Sequence, residues 1–267
     1  MPRLNETDSA RREAVGNGAY FVEALARGLS VIHAFSRERS RMTLSDAARF
    51  TNLPKPTVRR VLLTLVDLGY AETDGRMFRL SPQVMSLAVA YLGTDLVSTV
   101  LQPACERIRA MVGESCFVGV LDGDDMMMIA NANRQFPLGL VPSIGLRLPA
   151  LSTAAGRILL GMLPDDELDD RLGKARQSGG TKFTVRSRKE LRAIILQGRK
   201  DGFCMTRQEA VLEFHAVAVP LRRADGKPVG ALSLAVRVER YAADPGILDA
   251  SRKILLEEAE KLAGLLV

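Results

Sequence analysis

Apolar and polar positions in residues 43–70 follow a helical period twice, with a break between the two runs. Leu44, Ala47, Ala48 and Phe50 supply the inner side of a first short helix. Thr43 or Ser45 can cap it, with Asp46 favourable in the first turn. Residues 52–56 make a turn, because Pro54 and Pro56 forbid helix continuation and restrict the residues before them. The period resumes near Pro56. Val58, Val61, Leu62, Leu65, Val66 and Leu68 fall on one side. Thr57, Arg59, Arg60, Thr64 and Asp67 fall on the other, with Leu63 as an apolar exception there, and Gly69 provides the stop.

Strand alternation takes over at Tyr70 and Ala71, turns at Asp74-Gly75 and returns through Met77 to Leu80. A helix-turn-helix followed by a hairpin carrying Arg76 and Arg79 predicts a winged helix. Upstream, apolar positions in residues 21–35 predict a helix with one broad buried face. Downstream, Val84, Leu87, Ala88, Tyr91 and Leu92 share one face of a linking helix. Residues 96–112 read as a long helix interrupted at Pro103. Strands follow at 116–122 and 126–133, with a further strand or bent segment at 138–148. Helices are expected at 151–162, 164–171 and 188–201, the last with Leu191, Ile194, Ile195 and Gly198 inward. Strands at 203–207, 214–221 and 228–238, a turn at 224–227 and a helix at 249–266 complete the chain. Helices flanking a mainly antiparallel sheet define an α+β domain.

Charge sharpens the first part of this picture. The 267-residue chain carries a net +6, and residues 37–60 hold 7 Lys/Arg against 2 Asp/Glu. That excess suits a polyanion. Arg59 is the first choice for base contact and Arg60 the second, with Ser45, Lys55 and Thr57 as phosphate contacts and Arg76 and Arg79 in the wing. The same module used for protein contacts is the competing reading. A second basic run, residues 174–207, reads first as solvated surface.

Candidate chemistry changes little. Cys105, Cys116 and Cys204 are scattered and odd in number, which argues against a disulfide framework. With only His33 and His215 and no paired cysteine spacing, no zinc motif is present. No phosphate loop or dinucleotide fingerprint occurs, so no cofactor is expected. Cys116 and His215 are the one tempting catalytic pair, yet both sit in apolar strand patterns. The Met126–Met128 run has strand spacing and reads as core, and it also suits an adaptable pocket. The N-terminus of the helix at 151–162 suits a carboxylate, and Thr153 there suits a cap; the two roles are compatible. Arg147 suits either a ligand carboxylate or a structural ion pair.

Three stretches, FVEALARGLSVIHAF, LSDAARFTNLPKPTVRRVLLTLVDLGY and RMFRLSPQVMSLAVAYL, resemble the amino-terminal domain of IclR-type transcriptional regulators. RLPALSTAAGRILLG and GFCMTRQEAVLEFHAVAVPLRRADGKPVGALSLAV resemble their effector domain. Within that family the 21–35 and 147–160 segments look similar to the protocatechuate, 4-hydroxybenzoate and β-ketoadipate regulators. The resemblance implies a GAF-like effector domain, operator DNA as partner, an aromatic or dicarboxylic acid as effector, and a dimer or dimer of dimers. It carries ligand positions onto Thr206, Ala216 and Ser233, with Ala154 at the opening. Thr206 stands where many members have an acidic residue, which favours an anionic ligand. Asn131 stands where the aromatic-acid branch often has Arg.

The expected organisation is a disordered tail at 1–19, a winged helix-turn-helix domain at 20–81, a linker helix at 82–95 and an effector domain at 96–267. The expected function is a cytoplasmic, ligand-responsive DNA-binding regulator of a catabolic operon, not an enzyme. The alternatives are an enzyme with an appended DNA-binding domain and a DNA-binding module without a ligand. No membrane-spanning apolar run occurs.

Overall fold

A computed structural model describes residues 21–36, 39–93, 96–134, 143–174 and 180–266. The expected tail at 1–19 lies outside the described residues, as does the first part of the 138–148 segment. The chain divides into two compact units between Tyr91 and Leu92. No described helix is long and apolar enough to cross a membrane.

In the first unit, helix α1 (Glu23–Ala34) precedes a two-residue strand β1 (Met42–Thr43), helix α2 (Leu44–Thr51) and helix α3 (Lys55–Asp67). Strands β2 (Ala71–Thr73) and β3 (Met77–Leu80) form the wing. The sheet order is β1-β3-β2, all antiparallel. Strand β1 was absent from the sequence expectation. It exists because Met42 pairs with Phe78 across β3, a partner 36 residues away. Val31, Ala34, Met42, Ala47, Ala48, Val58, Leu62, Leu65, Ala71 and Phe78 form one apolar core.

Helix α1 departs from the expected broad buried face. Only Val31 and Ala34 are buried, while Phe21, Val22, Leu25 and Leu29 are exposed. The small core reaches only the C-terminal half of the helix. After a 3₁₀ turn (Pro82–Val84), helix α4 (Met85–Leu92) likewise exposes Met85, Leu87, Val89 and Tyr91.

The second unit opens with a π-helical turn (Leu96–Leu101) that passes into α5 (Gln102–Val112), with Pro103 in the first turn of α5, beside the expected interruption. Strands β4 (Ser115–Asp122), β5 (Asp125–Ala132), β6 (Arg147–Pro149), β7 (Cys204–Arg207), β8 (Phe214–Arg222) and β9 (Pro228–Arg237) form one antiparallel sheet. Its order is β6-β5-β4-β9-β8-β7. Helices α6 (Ala154–Gly161), α7 (Asp165–Lys174) and α8 (Arg188–Asp201) lie between β6 and β7 in the chain. Helix α9 (Val238–Ala243) was not expected, and α10 (Ile247–Ala263) ends the fold.

Strand alternation gives this sheet two apolar faces. Cys116, Val118, Val217, Val219, Leu232, Leu234 and Val236 cluster with α5 and α10. Phe117, Met126, Met128, Ala218 and Ala231 cluster with Ala154, Ala155, Ile158 and Leu159 of α6. The methionine run splits as strand spacing demands, since Met127 packs with the first cluster. Helices α7 and α8 cover the outer side of α6 through Leu168, Leu172, Leu191 and Ile195 against Leu160.

Candidate functional site

Two regions carry the candidate residues, one in each unit. In the first, Thr43 caps α2. Its Oγ1 accepts from the Asp46 amide at 3.2 Å, while its own amide and hydroxyl donate to Asp46 Oδ2 at 3.2 and 2.7 Å. These bonds, with the Arg49 guanidinium adding to them, hold the Asp46 carboxyl below the usual aspartate range. The stabilisation is therefore present above that range and lost as pH falls through the lowered folded-state value. Asn52 adopts φ 55° at the end of α2 and reverses the chain into α3.

Helix α3 buries Val58, Leu62 and Leu65 and turns Lys55, Arg59, Arg60, Leu63 and Thr64 outward, with Thr57 half-buried. Ser45 is exposed on α2. Among the described residues Lys55, Arg59 and Arg60 have no acidic partner, so their charge faces outward unneutralised. The wing arginines differ. Arg76 is exposed at the turn, where Asp74 Oδ1 accepts from its amide and that of Met77. Arg79 is held across the hairpin by Glu72, its register partner, with Nε donating at 2.8 Å. Its guanidinium is partly neutralised before any polyanion arrives.

In the second unit, Thr206 lies opposite Ala216, and Ala216 opposite Ala235. Ser233 lies opposite Ala218 and Phe117. By strand parity these residues share the sheet face that α6 covers. Thr206 and Ser233 are buried, and Ser233 Oγ donates to the Val217 carbonyl at 2.9 Å. Helix α6 meets this face through buried Ala154 and Ala155. Thr153 caps it by accepting from the Gly156 amide at 3.0 Å. Among the described residues no acceptor pairs with the amides of Ala154 and Ala155, the free first-turn donors of a buried helix. A Cβ at Gly156 would fall 2.2 Å from the Ala150 carbonyl oxygen, so glycine is required for the helix to start this close to the preceding 3₁₀ turn (Ala150–Ser152).

The structure thus brings Thr153, Ala154, Thr206, Ala216 and Ser233 onto one side of the sheet. Arg147 is elsewhere. It sits on edge strand β6, opposite Met127 and therefore toward the other face. Its guanidinium is engaged by Asp122 and by Asp125, with Nε donating to the latter at 3.2 Å, and Nη2 donates to the Asp122 carbonyl at 2.9 Å. Asn131 has its backbone tied to the Gln102 side chain by bonds of 3.0 and 3.2 Å.

Cys116 and His215 belong to the face packed by α5 and α10. Burial pushes the Cys116 thiol well above its usual range, which keeps it protonated and non-nucleophilic at neutral pH. Burial, assisted by nearby Arg207, pushes the His215 imidazole down. Its ring packs against Tyr241 with centroids 4.5 Å apart. Among the described residues no group of three His, Cys, Asp or Glu is placed to hold a metal ion.

One pair beside this face was not singled out from the sequence. Arg157 of α6 is buried and forms a two-pronged ion pair with buried Glu209, at 2.9 and 2.5 Å. The partners stand 52 residues apart. The available signal was a lone arginine inside an otherwise apolar helix, a position where charge needs a partner.

Comparison with known proteins resolves what the two regions belong to. Residues 24–75 match the IclR helix-turn-helix domain, and residues 89–263 match the bacterial transcriptional regulator IclR C-terminal domain. The chain belongs to the IclR family. It is 35% identical over 240 residues to the Pca regulon regulatory protein of Pseudomonas putida, covering 90% of this chain and 82% of that one. It is 27% identical over 227 residues to the p-hydroxybenzoate hydroxylase transcriptional activator of Acinetobacter baylyi, covering 82% and 83%. The crystal structure of an IclR homolog complexed with 4-hydroxybenzoate, from Microbacterium hydrocarbonoxydans, superposes with a TM-score of 0.76. That likeness covers 91% of this chain and 99% of the other at 23% identity, and it concerns the fold. The α+β expectation and the family resemblance both hold. As an IclR-family member the chain is a DNA-binding transcriptional regulator rather than an enzyme, with α3 as its second helix-turn-helix helix.

Proposed function

We propose that this regulator switches its operator affinity in response to a small aromatic or dicarboxylic acid bound between α6 and the sheet. The observation that carries the reading is the buried N-terminus of α6. The unpartnered amides of Ala154 and Ala155 suit a carboxylate, and Thr206, Ala216 and Ser233 occupy the sheet face that this helix covers. Met126 and Met128 on the same face supply adaptable apolar walls. Neutral Thr206 adds no like charge against an anion. Arg147, engaged on the other side of the sheet, has no part in this site. Relatives named for the pca regulon and for p-hydroxybenzoate hydroxylase, together with the homolog that holds 4-hydroxybenzoate, support an acid of this class.

At the output end, Arg59 reads base edges with Arg60 beside it. Ser45, Lys55 and Thr57 hold phosphates, and Arg76 and Arg79 lie along the backbone or minor groove. The regulator works in the cytoplasm as a dimer or dimer of dimers on a pseudo-palindromic operator. The exposed apolar residues of α1 and α4 support self-association. Thermal shift of the full-length chain against 4-hydroxybenzoate, protocatechuate and β-ketoadipate tests the sensing half. At least one acid is expected to raise the midpoint in proportion to the logarithm of its concentration. A midpoint indifferent to all three at millimolar concentration would remove the proposed ligand class.

A further inference from the structure

The Arg157–Glu209 pair lies where several segments of the second unit meet. Arg157 stands three residues beyond Ala154 in α6, and its Nε donates to the Leu151 carbonyl at 2.8 Å. That bond ties the helix to the 3₁₀ turn before it. Nη1 and Nη2 donate to Glu209 Oε1 and Oε2. Glu209 sits in the connection between β7 and β8, in the chain between Thr206 and Ala216. Its Oε2 also accepts from the Val185 amide at 3.1 Å. Its carbonyl accepts from Thr184 Oγ1 at 2.7 Å and from the Thr181 amide at 3.1 Å. The neighbouring Gln208 is held at φ 58°, a left-handed conformation unusual for a side-chain-bearing residue. Glu209 therefore fixes the start of α6, the β7–β8 connection and residues 181–185 to one another, through its carboxylate for Arg157 and Val185 and through its backbone carbonyl for Thr181 and Thr184.

Stability alone is a poor reason for such a pair. Removing both charges from water costs about as much as their attraction returns, and well-packed apolar replacements are often neutral or stabilising. What the charges add is direction. A guanidinium fork meets a carboxylate in one planar geometry, whereas an apolar contact tolerates sliding. The geometry fixed here is that between the amides of Ala154 and Ala155 and the strands carrying Thr206 and Ala216.

We propose that Arg157 and Glu209 are positioning residues for the effector site, setting acid affinity by holding the N-terminus of α6 in register with the β7–β8 hairpin. This rests on the sensing reading above. The test uses full-length wild type and the R157M/E209M double variant. Each is titrated calorimetrically with whichever of 4-hydroxybenzoate, protocatechuate and β-ketoadipate gives the largest wild-type thermal shift. The double variant removes both charges and leaves neither one orphaned. It gives up the bonds to the Leu151 carbonyl and the Val185 amide, so it is expected to fold with a lowered midpoint and to bind the acid about tenfold more weakly or worse. A folded double variant with the wild-type Kd would overturn the inference while leaving the sensing reading intact. Should the double variant not fold, R157K keeps the charge and loses the fork. It is expected to weaken binding about fivefold or more on folded protein, and a wild-type Kd there would equally overturn the inference. Wild type that binds none of the acids would instead overturn the sensing reading, and the inference with it.

Discussion

Helices α3 and α6 both carry arginine, and they use it in opposite ways. Helix α3 buries one stripe and presents Arg59 and Arg60 to solvent with no acidic partner among the described residues. Every residue of α6 is buried, and its single arginine is locked onto Glu209. An exposed cation on a rigid helix is ready for a partner outside the chain. A buried one has already found its partner inside, and what it offers is geometry. The contrast separates the end proposed to act on DNA, which presents unneutralised charge, from the end proposed to sense, which is organised by charge that has been neutralised.

The largest effect expected from this contrast is at α6. R157M alone leaves the Glu209 carboxylate buried and unpaired, and stability measured by denaturant is expected to fall by about 3–5 kcal/mol. R147M, which removes an arginine paired with aspartates at the sheet edge where about a third of its side chain is exposed, is expected to cost less than about 1 kcal/mol. Equal losses in the two variants would erase the distinction between a structural centre and a peripheral pair. Next in size is α3. R59A is expected to weaken specific operator binding by about 1–3 kcal/mol, with a smaller loss on non-specific DNA. A uniform loss on all sequences would make Arg59 a phosphate contact rather than a base reader.

The same contrast explains what could be read along the chain. Helix α3 was legible because one-sided burial writes a 3.6-residue period into its residues, and the wing because Asp74-Gly75 marks a tight turn, with Gly75 at φ 93°. The strands around Met126–Met128 and Phe214–Leu221 were legible as short apolar runs bounded by turn residues. Helix α6 was visible as an apolar run, yet burial on all sides leaves no periodicity to tell which face meets the sheet. Its arginine could not name a partner 52 residues away. Strand β1 escaped notice because two residues carry no pattern of their own and depend on pairing with β3. The exposure of the first half of α1 was not legible for a related reason. Apolar spacing shows that Phe21, Val22, Leu25 and Leu29 lie together, and says nothing about whether the same chain covers them. Arg147 illustrates the limit for sites. Its two roles were equivalent in sequence, and only the register of β6 on β5 placed it beside Asp122 and Asp125 on the face away from Thr206.

The central claim is that acid bound beneath α6 changes what α3 does to DNA. The most direct measurement is fluorescence anisotropy of the full-length chain on a labelled operator duplex selected from a random-sequence pool. It is made with and without a saturating amount of the acid that shifts the thermal midpoint. The expected result is a change in operator Kd of about fivefold or more, in either direction. An operator Kd unmoved by an acid that demonstrably binds would contradict the account.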